Sequence, residues 1–231
     1  GEYKTTTGEI KINELTRRRW GAANVVQEPT PVDGDEAIKG VNNYNFYGEG
    51  DSRSIASGTI GAFKTSVSKY GGFYIGRYEQ GIGNVIKKNV AVDNKLRRDI
   101  ANSQVKAMYN GNSFVISELI SSYAWDTALN FICQTNKEGY LLATTTSINY
   151  GHLNGNEGLS KTGAYVADNY SNIHDMLGNA KEWTTEYVDY SSKPCASVGG
   201  CYAGSGIAST RQYNGTAPSN ITGFRTQLYI K

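Results

Sequence analysis

The sequence predicts an α+β domain whose strands gather late in the chain. Three observations carry this: a glycine-bounded run of β-formers, GGFYIGRYEQG, from Gly71; two stretches of helical apolar spacing between Val92 and Cys133; and two short alternating runs after Asp175. The resulting order is strand, two helices, long loops, short strands, with no internal repeat.

Residues 1–65 alternate weakly between polar and apolar and carry turn clusters such as PTPVDGDE and GEGDSRS, so they read as an arm or a set of short strands. Arg17-Arg18-Arg19 before Trp20 reads as a solvated face rather than a binding patch. From Gly71, Phe73, Ile75 and Tyr78 mark a strand. In VDNKLRRDIANSQVKAMYNG, Leu96, Ile100 and Ala107 recur at helical spacing with Ala101, Val105 and Met108 beside them, and Asn110-Gly111 supplies the stop. A second helix follows. Ser121 or Ser122 serves as its N-cap, Asp126 suits its first turns through the helix dipole, and Trp125, Ala128, Leu129 and Ile132 form its apolar stripe up to Cys133. Residues 136–172 lack helical periodicity and read as loops held on a scaffold. DMLGNAKEWTTEYV then gives a tight turn into a strand, and GFRTQLYIK gives another.

At 231 residues, with 39% apolar and 19% charged residues, the chain can bury a core of its own, and 27 Gly against four Pro fit a loop-rich globular protein. A net charge of +2 with both signs interspersed argues against nucleic acid as a partner. No apolar run reaches the roughly 18 residues a membrane helix needs, so no direct membrane insertion is expected. Of three cysteines, Cys195 and Cys201 are near enough in sequence to bridge in an oxidising setting, although three thiols is the simpler reading.

Four elements in order resemble the formylglycine-generating enzyme superfamily: GGFYIGRYE at 71–79, SSYAWDTALNFI at 121–132, NIHDMLGNAKEWT at 172–184, and Gly199-Gly200 with Gly223-Phe224-Arg225. The third is the most specific, with Asn172, Ile173, Asp175, Met176, Gly178, Asn179, Glu182, Trp183 and Thr184 in register with the family signature. The resemblance implies a variant of the C-type lectin-like fold over residues 66–231, with two helices around short antiparallel strands and many long loops, and residues 1–65 as an extension integrated into or packed on that core.

Physically the signature reads as structural. Gly178 and Asn179 can take the left-handed backbone of a sharp turn, and Trp183 is a large anchor. Glu182 is costly to bury unless it accepts hydrogen bonds from backbone or from Arg225. Some family members hold calcium near this turn; one Asn and one Glu fall short of the about 6–8 oxygens such an ion takes.

The superfamily's copper-dependent oxidases need two cysteines within the segment after the Gly-Gly pair, because paired thiolates suit a cuprous ion. Here Cys201 stands in that segment alone, with no cysteine from Tyr202 to Lys231, and Cys195 precedes the glycines. A second branch uses an iron held by three histidines; only His152 and His174 exist, and they read as surface or supporting groups. No other catalytic motif appears. The expectation is therefore a non-enzymatic domain with no cofactor, no metal and no catalytic residues.

What remains is a scaffold presenting residues 199–225, a mixture of Tyr, Ser, Asn, Thr and Gly that suits recognition. This segment is similar to the variable region of diversity-generating retroelement proteins, in which codons such as those for Asn are diversified while flanking residues hold the fold. That resemblance makes Arg211, Pro218 and Gly223-Phe224-Arg225 scaffold. It puts ligand contacts at Cys201, Tyr202, Ala203, Ser205, Ile207, Ala208, Tyr213, Asn214, Ser219, Asn220, Ile221 and Thr222. It implies a protein or glycan receptor on a cell surface as partner, a location outside the cell on a virion or cell surface, and attachment to a larger particle through the N-terminal region. Two other readings stand beside it: an oxidase with a site around Cys195 and Cys201, and an inert particle subunit.

Overall fold

The computed structural model describes residues 2–4, 9–11, 17–19, 30–32, 59–135, 152, 158–187, 195–203, 207–208 and 210–231. The α+β class holds. The elements are β1 (Glu2–Lys4), β2 (Glu9–Lys11), β3 (Arg17–Arg19), β4 (Thr30–Val32), α1 (Thr59–Tyr70), β5 (Tyr74–Ile75), α2 (Arg98–Met108), β6 (Val115–Leu119) and α3 (Ser122–Thr135). They continue with β7 (Asn169–Tyr170), β8 (Ile173–His174), β9 (Lys181–Tyr187), β10 (Cys195–Val198), β11 (Arg211–Asn214), β12 (Thr222–Phe224) and β13 (Thr226–Ile230). In the N-terminal region β1 pairs with β2 and β3 with β4, both antiparallel.

Two small sheets frame the core. One has the order β11-β10-β9-β12, in which β12 runs parallel to β9; the other is β5-β13-β6, all antiparallel. GFRTQLYIK, expected as one strand, is two strands in two sheets, broken at Arg225. At the break the Arg225 carbonyl still accepts from Ile120 N at 2.9 Å, while its side chain is fully buried and donates to the Gly76 and His174 carbonyls. The GGFYIGRYE segment is likewise shorter in strand than expected. Only Tyr74 and Ile75 pair, while Gly76 and Gln80 donate to carbonyls on either side of Arg225, from Thr226 and Phe224.

The sequence reading missed α1. Thr59, Ile60, Thr65 and Val67 are β-branched and Gly61 is a poor helix former, so local propensity argues against this helix. Burial overrides it: Phe63 and Val67, one turn apart, sit in the core, with Phe63 edge-on to Phe73 at 5.2 Å and Tyr229 at 5.4 Å. Gly71 ends the helix at φ 77, its N–H donating to Val67 O at 2.9 Å. The expected boundary at 65/66 therefore falls inside a core helix.

In α2 the existence and stop are as predicted but the face is not. Its buried residues are Arg98, Ala101, Asn102 and Val105, while Ile100 and Ala107 are exposed. Arg98 is accommodated because Nη1 donates to the Thr184 carbonyl at 3.4 Å and to that of Glu186; Asn102 Oδ1 accepts from Leu119 N at 3.2 Å. For α3, Ser121 is the cap. Its Oγ accepts from Ala124 N at 3.2 Å and its carbonyl from Trp125 N at 3.0 Å. Asp126 lies beyond the first turn and is buried rather than set against the helix dipole. Trp125, Ala128, Leu129 and Ile132 are buried together with Met176, Leu177, Val198 and Tyr229. A smaller cluster joins α2 to the first sheet through Val105, Leu119, Trp183 and Phe224.

Candidate functional site

Register places the 199–225 segment. Val198 at the end of β10 pairs with both Glu182 near the start of β9 and Arg211 at the start of β11, and Thr222 at the start of β12 pairs with Lys181. The Gly178-Asn179 turn, the 199–210 connection and the 219–221 approach therefore emerge at one end of the four-stranded sheet. Strand pairing alone dictates this.

Each piece is pinned by backbone. Gly199 N donates to Thr210 O at 3.0 Å, closing the connection at its base, and Tyr202 N donates to Asn179 O at 2.9 Å. Trp125 Nε1 reaches up from α3 to Ala208 O at 3.1 Å. Gly199 has φ 78, and a Cβ there would crowd Met176 O and the Trp125 ring, so the glycine is required. On the other side Lys181 N donates to Ile221 O at 2.9 Å, Lys95 N to Ser219 O at 3.2 Å and Asn94 Nδ2 to Asn220 O at 2.6 Å. The turn at 94–95 thus props the 219–221 piece, a role no sequence motif announced; Asn-Lys among charged residues reads as a helix approach.

The twelve expected contacts divide. Ala203 and Asn220 are exposed, and Tyr202, Ile207, Ser219 and Ile221 are half-buried at this end. Cys201, Ala208 and Thr222 are buried and belong to the scaffold: Ala208 lies in the main core, and Thr222 is in the β12 ladder. Asn214 stands at the opposite end of the sheet, paired with Cys195, and its Nδ2 donates to Ser197 Oγ at 2.7 Å. The backbone of Tyr213 lies beside it in β11. Ser205 lies outside the described residues.

Beneath this end sits a buried polar centre. Gly178 (φ 97) and Asn179 (φ 52) take the left-handed turn expected of them, and a Cβ on Gly178 would collide with the His152 backbone. Asn179 Oδ1 accepts from Ser160 N at 2.9 Å while its Nδ2 donates to Glu79, whose other oxygen accepts from Ala180 N at 3.0 Å. Glu182 meets Arg225 through Nε at 3.0 Å and Nη2 at 2.6 Å with both side chains fully enclosed. Arg225 Nη1 and Nη2 also donate to Gly76 O and His174 O, each at 2.7 Å. Burial lifts the Glu182 pKa and Arg225 pulls it back; burial works against the Arg225 charge, yet Glu182 holds the guanidinium above its ordinary value.

The histidines are not surface groups. His152 is fully buried with Nε2 at 2.8 Å from Gly158 O, and His174 is nearly so, stacked on Tyr78 at 4.8 Å. Burial first, then Lys88, Arg225 and Arg77, lowers the His174 pKa and keeps the ring neutral. Cys195 and Cys201 are both buried, and no bridge joins them. Cys195 opens β10, and Cys201 follows the strand's far end beyond the Gly199-Gly200 pair. Among the described residues no group of three His, Cys, Asp or Glu side chains is placed to hold a metal ion, and no helix is long and apolar enough to cross a membrane.

No protein-family model and no curated protein matches the chain. Among solved structures, one described as the crystal structure of CarF aligns over 69% of this chain and 87% of that one, at 14% identity and a TM-score of 0.48.

Proposed function

We propose that this chain is a non-enzymatic binding domain, a formylglycine-generating-enzyme-like variant of the C-type lectin fold, that displays its C-terminal segment to a protein or glycan receptor on a cell surface. The observation that carries the reading is the convergence of the 201–203, 207 and 219–221 pieces at one sheet end, held by main-chain hydrogen bonds. Main-chain pinning leaves side chains at Tyr202, Ala203, Ile207, Asn220 and Ile221 open to change without loss of the fold, while Ser219 Oγ also accepts from Ile221 N at 3.3 Å. Tyr202 supplies an aromatic contact of low entropic cost, and Ser219 and Asn220 supply adaptable hydrogen bonding. Such a surface suits a phage receptor-binding or bacterial surface-display protein whose segment is diversified by a retroelement.

Two experiments test the reading. Sequencing the DNA around the gene should reveal a near-copy of the 3′ coding segment that differs mainly at adenines, beside a reverse transcriptase; finding neither removes the diversification claim. Copper titration of the reduced protein, followed by sulfur-to-metal absorption, should show no tight stoichiometric site. Tight binding lost in Cys201→Ala would favour the oxidase reading instead.

A further inference from the structure

Four carboxylates surround the single guanidinium of Arg225: Glu79, Asp168, Asp175 and Glu182, all fully or almost fully buried. Among the described residues only Glu182 forms an ion pair with it. Asp168 Oδ2 accepts from Leu177 N at 2.9 Å and Asp175 Oδ2 from Gly163 N at 2.6 Å, but Asp168 Oδ1 and Asp175 Oδ1 have no hydrogen-bond partner among the described residues. A buried carboxylate oxygen left this way is far costlier ionised than protonated.

These acids hold one strained segment. Ser171, Asn172, Asp175 and Asn179 all have φ between 52 and 63, a left-handed region sparsely used by residues other than glycine, Asn and Asp being the side chains that tolerate it best. Asp175 N donates to Asp168 O at 3.1 Å, Glu79 clamps Asn179 and Ala180, and Asn179 O in turn holds Tyr202 N. The path from the acids to the display end is therefore one turn long.

We propose that Glu79, Asp168 and Asp175 form a buried proton store that remains partly protonated while Glu182 neutralises Arg225, and that loss of its proton loosens the Asn179 turn and the Tyr202 end of the display segment. The charged and titratable groups acting on it are Arg225 between β12 and β13, Glu182 on β9 and His152, while Lys88 and Arg77 act on His174 of β8, next to Asp175 in the chain. Burial raises the Asp175 pKa to about 6, against the Gly163 hydrogen bond, Arg225 and His152. Burial, then Asp175, raises Glu79 and Asp168 well above the ordinary range. For an acid with a raised native pKa, the stabilisation is complete below its unfolded value and is lost as pH rises through the native one. The Asp175 contribution therefore falls away through about pH 6. Any consequence for receptor binding rests on reading this end as the binding surface, but the store itself is measured without a receptor, so the two proposals fail separately.

The test compares the wild-type chain with Asp175→Asn and Asp168→Asn at about pH 5 and about pH 8. The melting temperature of each variant relative to wild type should rise with pH, because the amide mimics the protonated acid. The intrinsic-rate-corrected protection of the Tyr202 amide should drop at the higher pH in wild type and hold steady in the variants. Should neither variant fold, a carbon-13 titration of the wild-type carboxyls must still show at least one aspartate ionising well above the ordinary range. Equal variant-to-wild-type differences at both pH values, pH-independent Tyr202 protection, or normal carboxyl titration would each overturn the proposal. So would calcium alone raising the melting temperature and flattening its pH dependence, which would make these acids a cation site.

Discussion

Arg225 stands between the strands of the two sheets, and its enclosed guanidinium donates to Glu182 and to the Gly76 and His174 carbonyls. Removing Glu182 as Glu182→Ala would take away the ion-pair partner of that buried cation, a loss of about 3–5 kcal/mol that urea unfolding should register. Arg225→Lys should also destabilise, since a single ammonium cannot reach Glu182 and both carbonyls in the same fork. The pairing was legible beforehand because a carboxylate beside Trp183 must find donors if it is buried. The enclosure of Glu79, Asp168 and Asp175 was not: Glu79 ends the GGFYIGRYE run and Asp175 stands in the turn signature, but nothing in their sequence context announces burial, and tertiary closure around Arg225 encloses all three. His152 and His174 escaped for the same reason, since Gly- and Asn-rich flanks suggest solvent while packing against Tyr165 and Tyr78 removes it.

Among the elements, α3 was readable because its apolar stripe and cap agree, whereas α2 shows how a stripe misleads when polar residues face inward. Arg98 and Asn102 occupy buried positions because the carbonyls of β9 and the N–H of Leu119 meet them. The energetic consequence is directional. Ile100→Lys on the exposed face should change stability by no more than about 0.5 kcal/mol, whereas Val105→Ala should cost about 2 kcal/mol from two lost methyl groups and the cavity they leave. Ser121→Ala should cost about 1 kcal/mol through loss of the hydrogen bond to Ala124 N. Thermal melts of the three variants separate the readings. In α1 the signal ran the other way, β-branched residues concealing a helix that Phe63 and Val67 hold in place through tertiary contact.

Across the molecule, the first sheet acts as a platform with two unlike ends. At one, β10 delivers the chain into the 199–210 connection, and β9, β11 and β12 begin; at the other, Asn214 is tied to Ser197. Composition alone could not separate Asn214 from Asn220, or Cys201 from Tyr202, because neighbouring residues in a loop can differ completely in burial. Register resolves what composition cannot. The most direct test of the central claim is a display library randomised at Tyr202, Ala203, Ile207, Ser219, Asn220 and Ile221, scored for folding by protease resistance and for binding to a chosen protein target. Most members should stay folded and specific binders should emerge, each losing affinity when its six residues revert; a largely unfolded library, or a folded one that yields no binders, would rule this end out as a binding surface.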